Sequence, residues 1–246
     1  MQGQRVIGVV PARLSSTRFP RKVLAPLAGR PLVVHAHERL ARAANVDEAL
    51  IATDSPEVEA AAARHGAAAV LVAGEFATGS DRVARAVEGR RADVVVNLQA
   101  DQPLIDPKDI DRVIERLLEC DDLDVVTLAY EASDTEGHRD PNVVKVVIDG
   151  RGRALYFSRA AVPASAGSPG RKPLYLHHVG IYCFRRAALE RFAALPRSEL
   201  EERESLEQLR ALSAGMSIGV VVTDKQTPGI DTPRDLEAAE ERATTP

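Results

Sequence analysis

The chain has 246 residues, of which 45% are hydrophobic and 28% are charged, and its formal net charge at pH 7 is -4. These values are typical of a soluble globular protein, and they argue against a general binder of nucleic acids or other polyanions. The two cysteines, Cys120 and Cys183, lack the spacing of a metal site or a disulfide framework, which favours the reduced cytoplasm. We expect neither a signal peptide nor a membrane span, because no apolar run is long enough.

Short β-branched segments alternate with segments of helical periodicity through the first 130 residues. The predicted strands and helices, in chain order, lie at residues 6–10, 32–44, 49–53, 57–64, 67–72, 81–88, 94–98, 107–120 and 123–128. This alternation predicts right-handed βαβ units around a mostly parallel sheet. The predicted fold class is therefore α/β, with a doubly wound, Rossmann-like sheet.

The pattern changes after residue 130 and predicts a smaller β-rich lobe. Two β-rich runs flank Asp149 to Gly152 and predict a hairpin with a glycine turn. We expect a second hairpin-like element at residues 173–184, and one long helix from the N-cap Ser198 to Gly215. A last strand and a final helix close the chain. The single domain thus divides into a first part, an inserted lobe and a return to the main sheet, at residues 1–130, 131–215 and 216–246.

A cation-rich loop follows the first predicted strand, in the segment VVPARLSSTRFPRK at residues 9–22. Open parallel sheets bind ligands beyond the carboxyl ends of their strands, so this loop is a candidate site. Its small residues leave backbone N–H groups for phosphate oxygens, and Arg13, Arg18 and Lys22 supply charge that suits a triphosphate. The segment matches neither GxxxxGK[ST] nor GxGxxG, which excludes a P-loop and a dinucleotide fingerprint. The alternative is a solvated loop whose arginines pair with surface acids.

Acidic residues in two distant segments predict a metal site. In NLQADQPLI, Gln99 and Asp101 directly follow the predicted central strand, at the edge where a catalytic metal would lie. Proteins usually hold the Mg²⁺ of a nucleotide with one or two carboxylates and the phosphate oxygens. Asp231, in GIDTPRDL, is the best candidate for the second carboxylate. The alternative is that Asp231 only caps the following helix.

The motifs of the chain, taken in order, resemble those of the 3-deoxy-manno-octulosonate cytidylyltransferase family, whose N-terminal signature is usually PAR-x-x-S-T-R-x-P-x-K. The matching segments span residues 9–236 and include VVPARLSSTRFPRK, IATD, TGSDRVA, NLQADQPLI, DPNVVKVVID, ALYFSRAAVP, HHVGIYCFRR, LEQLRAL and GIDTPRDL. The resemblance implies a nucleotidyltransferase that converts CTP and 3-deoxy-manno-octulosonate (Kdo) into CMP-Kdo and diphosphate for lipopolysaccharide biosynthesis. It also implies Mg²⁺ as cofactor, and a homodimer whose 131–215 lobe binds the sugar and joins the subunits.

The resemblance also assigns roles to individual residues. Those expected to act on the phosphates or the metal are Arg13, Lys22, Asp101 and Asp231, of which Asp101 and Asp231 are the metal ligands. Those expected in the rest of the CTP site are Pro11, Ala12, Ser16, Arg18, Thr78, Gly79, Ser80 and Arg82. Those expected to contact Kdo are Gln99, Ser158, Arg159, His178 and Gln208. On the sequence alone, Ser80 as a plain N-cap and His178 as a structural histidine are the alternatives.

The chain departs from the family pattern on both sides of Asp101. Ala100 and Gln102 replace the usual glycine and glutamate, so one carboxylate near the expected metal is missing. The alternatives are a cytidylyltransferase for 8-amino-Kdo or sialic acid, or a nucleotide-binding protein that has lost turnover. The sialic acid enzymes typically have Gly-Gly-Ser-Lys where this chain has LSSTRFPRK. An NAD-dependent dehydrogenase is excluded by the missing glycine fingerprint.

Overall fold

A mixed β-sheet forms the centre of the protein in the computed structural model, which describes residues 3–15, 19–164 and 173–244. The strands are β1 (Val6–Ala12), β2 (Pro26–Leu27), β3 (Arg30–Pro31), β4 (Glu48–Thr53), β5 (Ala69–Leu71), β6 (Val94–Leu98), β7 (Val125–Ala132), β8 (Lys145–Ile148), β9 (Ala154–Ser158), β10 (Tyr175–Arg185) and β11 (Ile218–Thr223). The short strands β2 and β3 pair with each other in a separate ribbon.

Helices connect most of the strands, and several of them begin at a side chain that caps the helix. They are α1 (Leu32–Arg42), α2 (Pro56–Arg64), α3 (Gly79–Ala86), α4 (Pro107–Glu119), α5 (Thr135–Arg139), α6 (Arg186–Ala194), α7 (Glu199–Glu204), α8 (Gln208–Ser213) and α9 (Pro233–Thr244). A short 3-10 turn covers Lys22–Leu24. Ser55 caps α2 and Asp106 caps α4, and a proline occupies the first turn of each helix.

The strand order across the main sheet is β11-β7-β10-β6-β1-β4-β5, with β8 paired to β10 and β9 paired to β8. β1 is parallel to β4 and β6, and β7 is parallel to β11, whereas β10 is antiparallel to both of its neighbours β6 and β7. β6 is buried along its whole length, as expected of a strand covered on both faces. The predicted α/β class with a mostly parallel sheet is therefore confirmed. Because β1 and β6 are parallel neighbours, their carboxyl ends lie side by side.

Helices cover both faces of the sheet. On one face, α1 and α4 contribute Leu40 and Ile110 to a buried apolar cluster. On the other face, α3, α6 and α8 contribute Val83, Phe192 and Leu209 to a second cluster. Full burial of one such side chain contributes about 1.5–3 kcal/mol, so the two layers hold the sheet firmly between them. The loops at the carboxyl edge of the sheet consequently start from a rigid support.

The structure confirms one predicted hairpin and corrects the other. β8 and β9 pair antiparallel on either side of the turn at Asp149 to Gly152, as predicted. The hairpin expected at residues 173–184 is wrong, because this segment forms the single long strand β10. Its one glycine, Gly180, accompanies a bulge between Val179 and Tyr182, which bends the strand without reversing it.

The long helix predicted between Ser198 and Gly215 is also wrong. Ser198 does cap a helix, with Glu201 completing a capping box. However, Ser205 adopts a left-handed conformation with φ 53°, which ends α7 before α8 starts. Periodicity did not reveal this break, because serine is not one of the residues that usually mark a helix end.

The division into three parts at residues 130 and 215 stays a prediction. β10 comes from the middle part, yet it lies between β6 and β7 in the main sheet, so this part also contributes to the core. Among the helices of the described residues, none has the length and apolar character needed to cross a bilayer.

Candidate active site

A cavity of about 260 Å³ opens at the carboxyl edge of the sheet, beside the ends of β1 and β6. Its wall combines the loop after β1, the start of α3, the segment after β6 and the turn before α9. We call it the first cavity. The cations on its wall include Arg13, Lys22 and Arg82. This position and this charge suit an anion such as a triphosphate.

Lys22 joins the two aspartates that the sequence places far apart. Its Nζ donates to Asp101 Oδ2 at 3.1 Å and to Asp231 Oδ1 at 2.9 Å. Burial by itself would lower the pKa of Lys22, but the two carboxylates outweigh it and raise this pKa above the usual value. The amine is therefore protonated at neutral pH. Its charge holds the carboxylates of Asp101 and Asp231 around one point.

The same arrangement fits a divalent cation. Two carboxylates already converge on one positive charge, and aspartate oxygens are ligands that Mg²⁺ prefers. Within the described parts of the chain, no group of three or more His, Cys, Asp or Glu side chains could hold a metal by itself. A cation bound by Asp101 and Asp231 would therefore take further ligands from outside the protein, such as phosphate oxygens.

The structure brings together most of the residues predicted for the CTP site. Those that line the first cavity are Pro11, Arg13, Lys22, Thr78, Gly79, Arg82, Asp101 and Asp231. Ala12 does not line it, because its side chain is buried in the core at the end of β1. Ser80 also lies behind the wall, where its Oγ accepts a hydrogen bond from Asn97 Nδ2 at 2.9 Å. Ser16 and Arg18 lie outside the described residues.

The start of α3 forms one side of the first cavity. The N-cap of α3 is Thr78, so the alternative role of Ser80 as the N-cap is wrong. Thr78 Oγ1 accepts a hydrogen bond from the backbone N–H of Asp81, whose carboxylate in turn accepts from the Thr78 N–H. Gly79 packs closely on Gln99, since a Cβ at Gly79 would come within 2.8 Å of Gln99 Nε2. The absent side chain lets the helix N-terminus lie against the loop after β6.

Arg82 is held in place at the wall of the first cavity. Its Nη2 donates to Asp54 Oδ2 at 2.7 Å, and its guanidinium lies 5.0 Å from the centre of the Phe76 ring. Arg82 is only 6% exposed, and its buried Nη1 has no hydrogen-bond partner in the structure. A buried donor without a partner is costly, so an acceptor atom of a ligand would stabilise it.

A second cavity, of about 360 Å³, adjoins the first. The residues that line both cavities are Gln99, Asp101 and Asp231. The rest of the second wall comes from β10, the segment before β8, the residue after β9 and the segment that leads into α8. Gln102, Pro228, Gly229 and Asp235 complete it beside the two aspartates. The two aspartates therefore stand at the junction, where groups bound in the two cavities would meet.

Most of the residues predicted to contact Kdo line the second cavity, namely Gln99, Arg159, His178 and Gln208. Ser158 is the exception, since it is buried and its Oγ donates to Glu204 Oε1 at 2.8 Å. The other oxygen of this carboxylate accepts from the backbone N–H of Arg159 at 2.8 Å. Ser158 thus supports the position of Arg159 from behind the wall.

Backbone carbonyls orient the guanidinium of Arg159. Nε donates to the carbonyl of Glu204 at 2.7 Å, Nη1 to that of Pro141 at 2.8 Å and Nη2 to that of Ser205 at 3.4 Å. Arginine has five N–H groups, so each of its Nη atoms keeps one for a ligand. The cation is consequently held in advance with its remaining donors available.

His178 is a neutral histidine whose proton position is set by Thr127. The Thr127 hydroxyl donates to the carbonyl of Ile181 at 2.6 Å, so its oxygen accepts from Nε2–H of His178 at 2.9 Å. Burial, with a smaller effect of the adjacent His177, lowers the pKa of His178 to about 3. Nδ1 therefore carries no proton and is a hydrogen-bond acceptor.

Gln208 and its neighbour Glu207 lie at the start of α8. Gln208 Oε1 accepts from the Tyr182 hydroxyl at 3.1 Å, while its buried Nε2 has no partner in the structure. The sequence analysis missed Glu207, which also lines the second cavity. Its carboxylate accepts from the backbone N–H of Ser80 at 3.0 Å and from Gln99 Nε2 at 3.4 Å, and burial raises its pKa. The motif LEQL was the available signal, because this glutamate directly precedes Gln208.

The fold and the site define the class of the protein. A doubly wound sheet has a cation-lined cavity at its carboxyl edge, and paired aspartates separate that cavity from a second one. These features are those of an α/β nucleotidyltransferase. The chain belongs to the cytidylyltransferase family, since its residues 7–218 match the family model described as cytidylyltransferase.

Individual relatives are similar over nearly the whole chain. The sequence is 42% identical to a 3-deoxy-manno-octulosonate cytidylyltransferase of Syntrophobacter fumaroxidans over 238 residues, which cover 95% of each chain. It is 46% identical to a protein of the same name from Chelativorans sp. over 243 residues, which cover 94% of each chain. A solved structure of CMP:2-keto-3-deoxy-manno-octonic acid synthetase complexed with CTP matches with a TM-score of 0.89 at 37% identity, covering 97% of this chain and 98% of that one. The family and the nucleotidyltransferase fold predicted from the motifs are confirmed.

Proposed function

We propose that the protein transfers the cytidylyl group of CTP to the anomeric hydroxyl of Kdo, giving CMP-Kdo and diphosphate for lipopolysaccharide biosynthesis. The observation that carries this proposal is the junction at Asp101 and Asp231, which face both cavities. A transfer between two substrates requires both to be bound side by side with their reacting atoms close together. The similar proteins indicate the substrates, since they are named for 3-deoxy-manno-octulosonate and one of them is in complex with CTP.

In this proposal CTP occupies the first cavity. Arg13 and Lys22 neutralise the phosphate oxygens, on which negative charge develops as the bond to diphosphate breaks. The start of α3 contacts the base or the ribose, through the backbone at Gly79 and the free donor of Arg82. Lys22 Nζ donates to both aspartates, so it can give up one carboxylate, donate to a phosphate oxygen of CTP and still keep the other carboxylate.

Kdo occupies the second cavity and presents its anomeric hydroxyl at the junction. The remaining N–H groups of Arg159 bind the sugar carboxylate, because a guanidinium matches a carboxylate in charge and shape. Nδ1 of His178 accepts from a sugar hydroxyl, and the unpartnered Nε2 of Gln208 donates to another. The attack on the α-phosphorus is then a matter of holding two anions in line.

Asp101 and Asp231 would hold Mg²⁺, which when bound supplies a Lewis acid for the phosphate oxygens and for the attacking hydroxyl. The support is the convergence of both carboxylates on the ammonium group of Lys22. Ala100 and Gln102, which differ from the family pattern, flank Asp101 but leave this convergence intact.

We further propose that the protein acts in the cytoplasm as a homodimer. The two cysteines, Cys120 and Cys183, are both free in the structure, which suits a reducing compartment. Leu155 on β9 and Leu174 just before β10 are 60% and 62% exposed, and they provide apolar surface for a second copy.

The test is diphosphate release by the purified protein with CTP and Mg²⁺, comparing Kdo, 8-amino-Kdo and N-acetylneuraminate. We expect release with Kdo, and we expect a chelator to abolish it. Release with another sugar acid alone would keep the cytidylyltransferase and reject Kdo as the substrate. No release with any sugar, together with CTP binding, would support the nucleotide-binding protein that has lost turnover.

A further inference from the structure

Gln102 is a buried polar side chain that the proposed mechanism does not use. It lines the second cavity directly after Asp101, and it is only 7% exposed. Its Oε1 has no hydrogen-bond partner in the structure. A buried carboxamide oxygen without a partner is unfavourable, and in native proteins such an atom usually has a partner or a functional reason.

The side chain of Gln102 lies against two glycines. A Cβ on Gly229 would come within 2.8 Å of Gln102 Nε2, and a Cβ on Gly180 would lie 3.6 Å from its Cγ. The backbone N–H of Ile230 donates to the carbonyl of Asp101 at 2.9 Å and fastens the glycine segment to the loop that carries Gln102. The absence of a Cβ at Gly229 therefore leaves room for the carboxamide of Gln102, whereas the contact with Gly180 is an ordinary van der Waals contact.

Gln102 is a neutral side chain on a cavity wall that carries many negative charges. The second cavity is already rich in carboxylates, which are Asp101, Asp140, Glu207, Asp231 and Asp235. The cation on the same wall is Arg159, whose guanidinium is partly used by backbone carbonyls. The glutamate of the usual family pattern adds one more negative charge at this position, whereas glutamine supplies donors and an acceptor without charge.

We infer that Gln102 is a sugar-binding residue of this chain, and that its carboxamide binds the acidic sugar together with the carboxamide of Gln208. Both side chains line the second cavity, both are more than nine-tenths buried, and each has one polar atom without a partner. One free atom is an oxygen and the other an N–H group, so the pair can accept a hydrogen bond from one sugar hydroxyl and donate to another. This inference rests on the proposed function, because it names a contact of the same sugar site.

The test compares Gln102→Glu and Gln102→Met with the wild-type protein. Glutamate keeps the shape and adds a charge, while methionine keeps the approximate volume and removes the hydrogen-bonding atoms. We expect Gln102→Met to raise the KM for Kdo about tenfold, because it removes the acceptor oxygen that binds a sugar hydroxyl. Gln102→Glu keeps an acceptor oxygen at the same place, as in the usual family pattern, and should raise this KM by a smaller factor. The KM for CTP should stay within about twofold in both variants, because the first cavity is unchanged.

Gln4→Glu is the matched control, because Gln4 is an exposed glutamine just before β1, at the opposite edge of the sheet. Titration calorimetry of Kdo into each protein measures binding independently of turnover. Unchanged Kdo affinity and KM in both Gln102 variants would overturn the inference, as would equal effects on CTP and Kdo. If the wild type binds Kdo but releases no diphosphate, the proposed function is rejected. The Kdo affinities of the two Gln102 variants would then still show whether Gln102 binds the sugar. If the wild type does not bind Kdo at all, both proposals are wrong.

Discussion

The two cavities that meet at Asp101 and Asp231 differ in charge and in construction. The first is lined by cations, of which Arg13 and Lys22 follow the parallel strand β1 and Arg82 lies in the first turns of α3. The second is lined by carboxylates, carboxamides and two histidines, and its wall depends on the antiparallel strand β10 and on α8. Burial lowers the pKa of His177 to about 4 and that of His178 to about 3, so both histidines are neutral at physiological pH. One cavity can attract an anion over a distance, whereas the other must select it by contact.

This difference teaches how one active site can accept two anions. Net positive charge suits a triphosphate, which has several negative charges and is bound mainly by electrostatic attraction. A sugar acid has one negative charge and many hydroxyls, so fixed donors and acceptors decide its affinity. The carboxylates at the junction would repel both ligands if no cation balanced their charge. In the structure, Lys22 is that cation.

We expect the largest effect at the junction, because Asp101 and Asp231 line both cavities. If one cavity alone carried the activity, the contrast between the two cavities would not explain the reaction. Asp101→Asn and Asp231→Asn should each lower kcat by about a hundredfold or more, because each removes a charge needed at the reacting atoms. The measurement is diphosphate release with saturating CTP and Kdo, with circular dichroism to verify folding. Asp121→Asn is the control, because this aspartate is fully exposed. Full activity of both junction variants would reject the two-carboxylate site.

A second prediction concerns the link between the two walls. Arg210 on α8 donates to Asp81 Oδ1 at 2.8 Å, in the first turn of α3, and to Glu201 Oε1 at 2.7 Å. All three groups are largely buried, so Arg210→Met removes the nearest cation from both carboxylates and should lower the free energy of unfolding by about 3–5 kcal/mol. Arg203→Met, which breaks an exposed pair with Glu199, should change it by no more than about 0.5 kcal/mol. Urea unfolding of both variants measures the difference, and similar values would show that the walls are not linked in this way.

The smallest effects should separate the cavities from each other. Arg13→Met is expected to raise the KM for CTP about tenfold while leaving that for Kdo nearly unchanged, since Arg13 lines only the first cavity. Arg159→Met should do the reverse, because Arg159 lines only the second. Steady-state kinetics with each substrate varied in turn measures both constants. If either variant altered both constants equally, the two cavities would not be separate binding sites.

The sequence was more informative about the first cavity than about the second, and the reason is physical. Arg13 and Lys22 lie within one loop after β1, and a loop after a parallel strand has a known place at the edge of the sheet. Asp101 follows β6, which is the parallel neighbour of β1, so its place followed from strand pairing. Ser80 was misplaced because its hydroxyl belongs to the interior contact with Asn97, which no local pattern indicates.

The second cavity depends on contacts between residues far apart in the sequence. The hydrogen bond of His178 with Thr127 and that of Gln208 with Tyr182 join separate elements, and only the three-dimensional structure reveals them. The break at Ser205, which turns one expected helix into two, also lies in this part. The family resemblance named Gln99, Arg159, His178 and Gln208 among the lining residues, but it could not tell that Ser158 faces Glu204 behind the wall.

Strand β10 has a consequence for how the specificity of this protein can evolve. It pairs with β6 and β7 in the middle of the sheet, and the same strand carries His177, His178 and Gly180 to the wall of the second cavity. A substitution on β10 that reshapes the sugar site therefore also disturbs the packed core, and most such changes would be lost to misfolding before they could be selected. New substrate preferences should first arise at positions outside the sheet, such as Asp140 before β8 and Ser205 between the helices. The lineage can thus explore different sugar acids more readily through its loops than through its central strand.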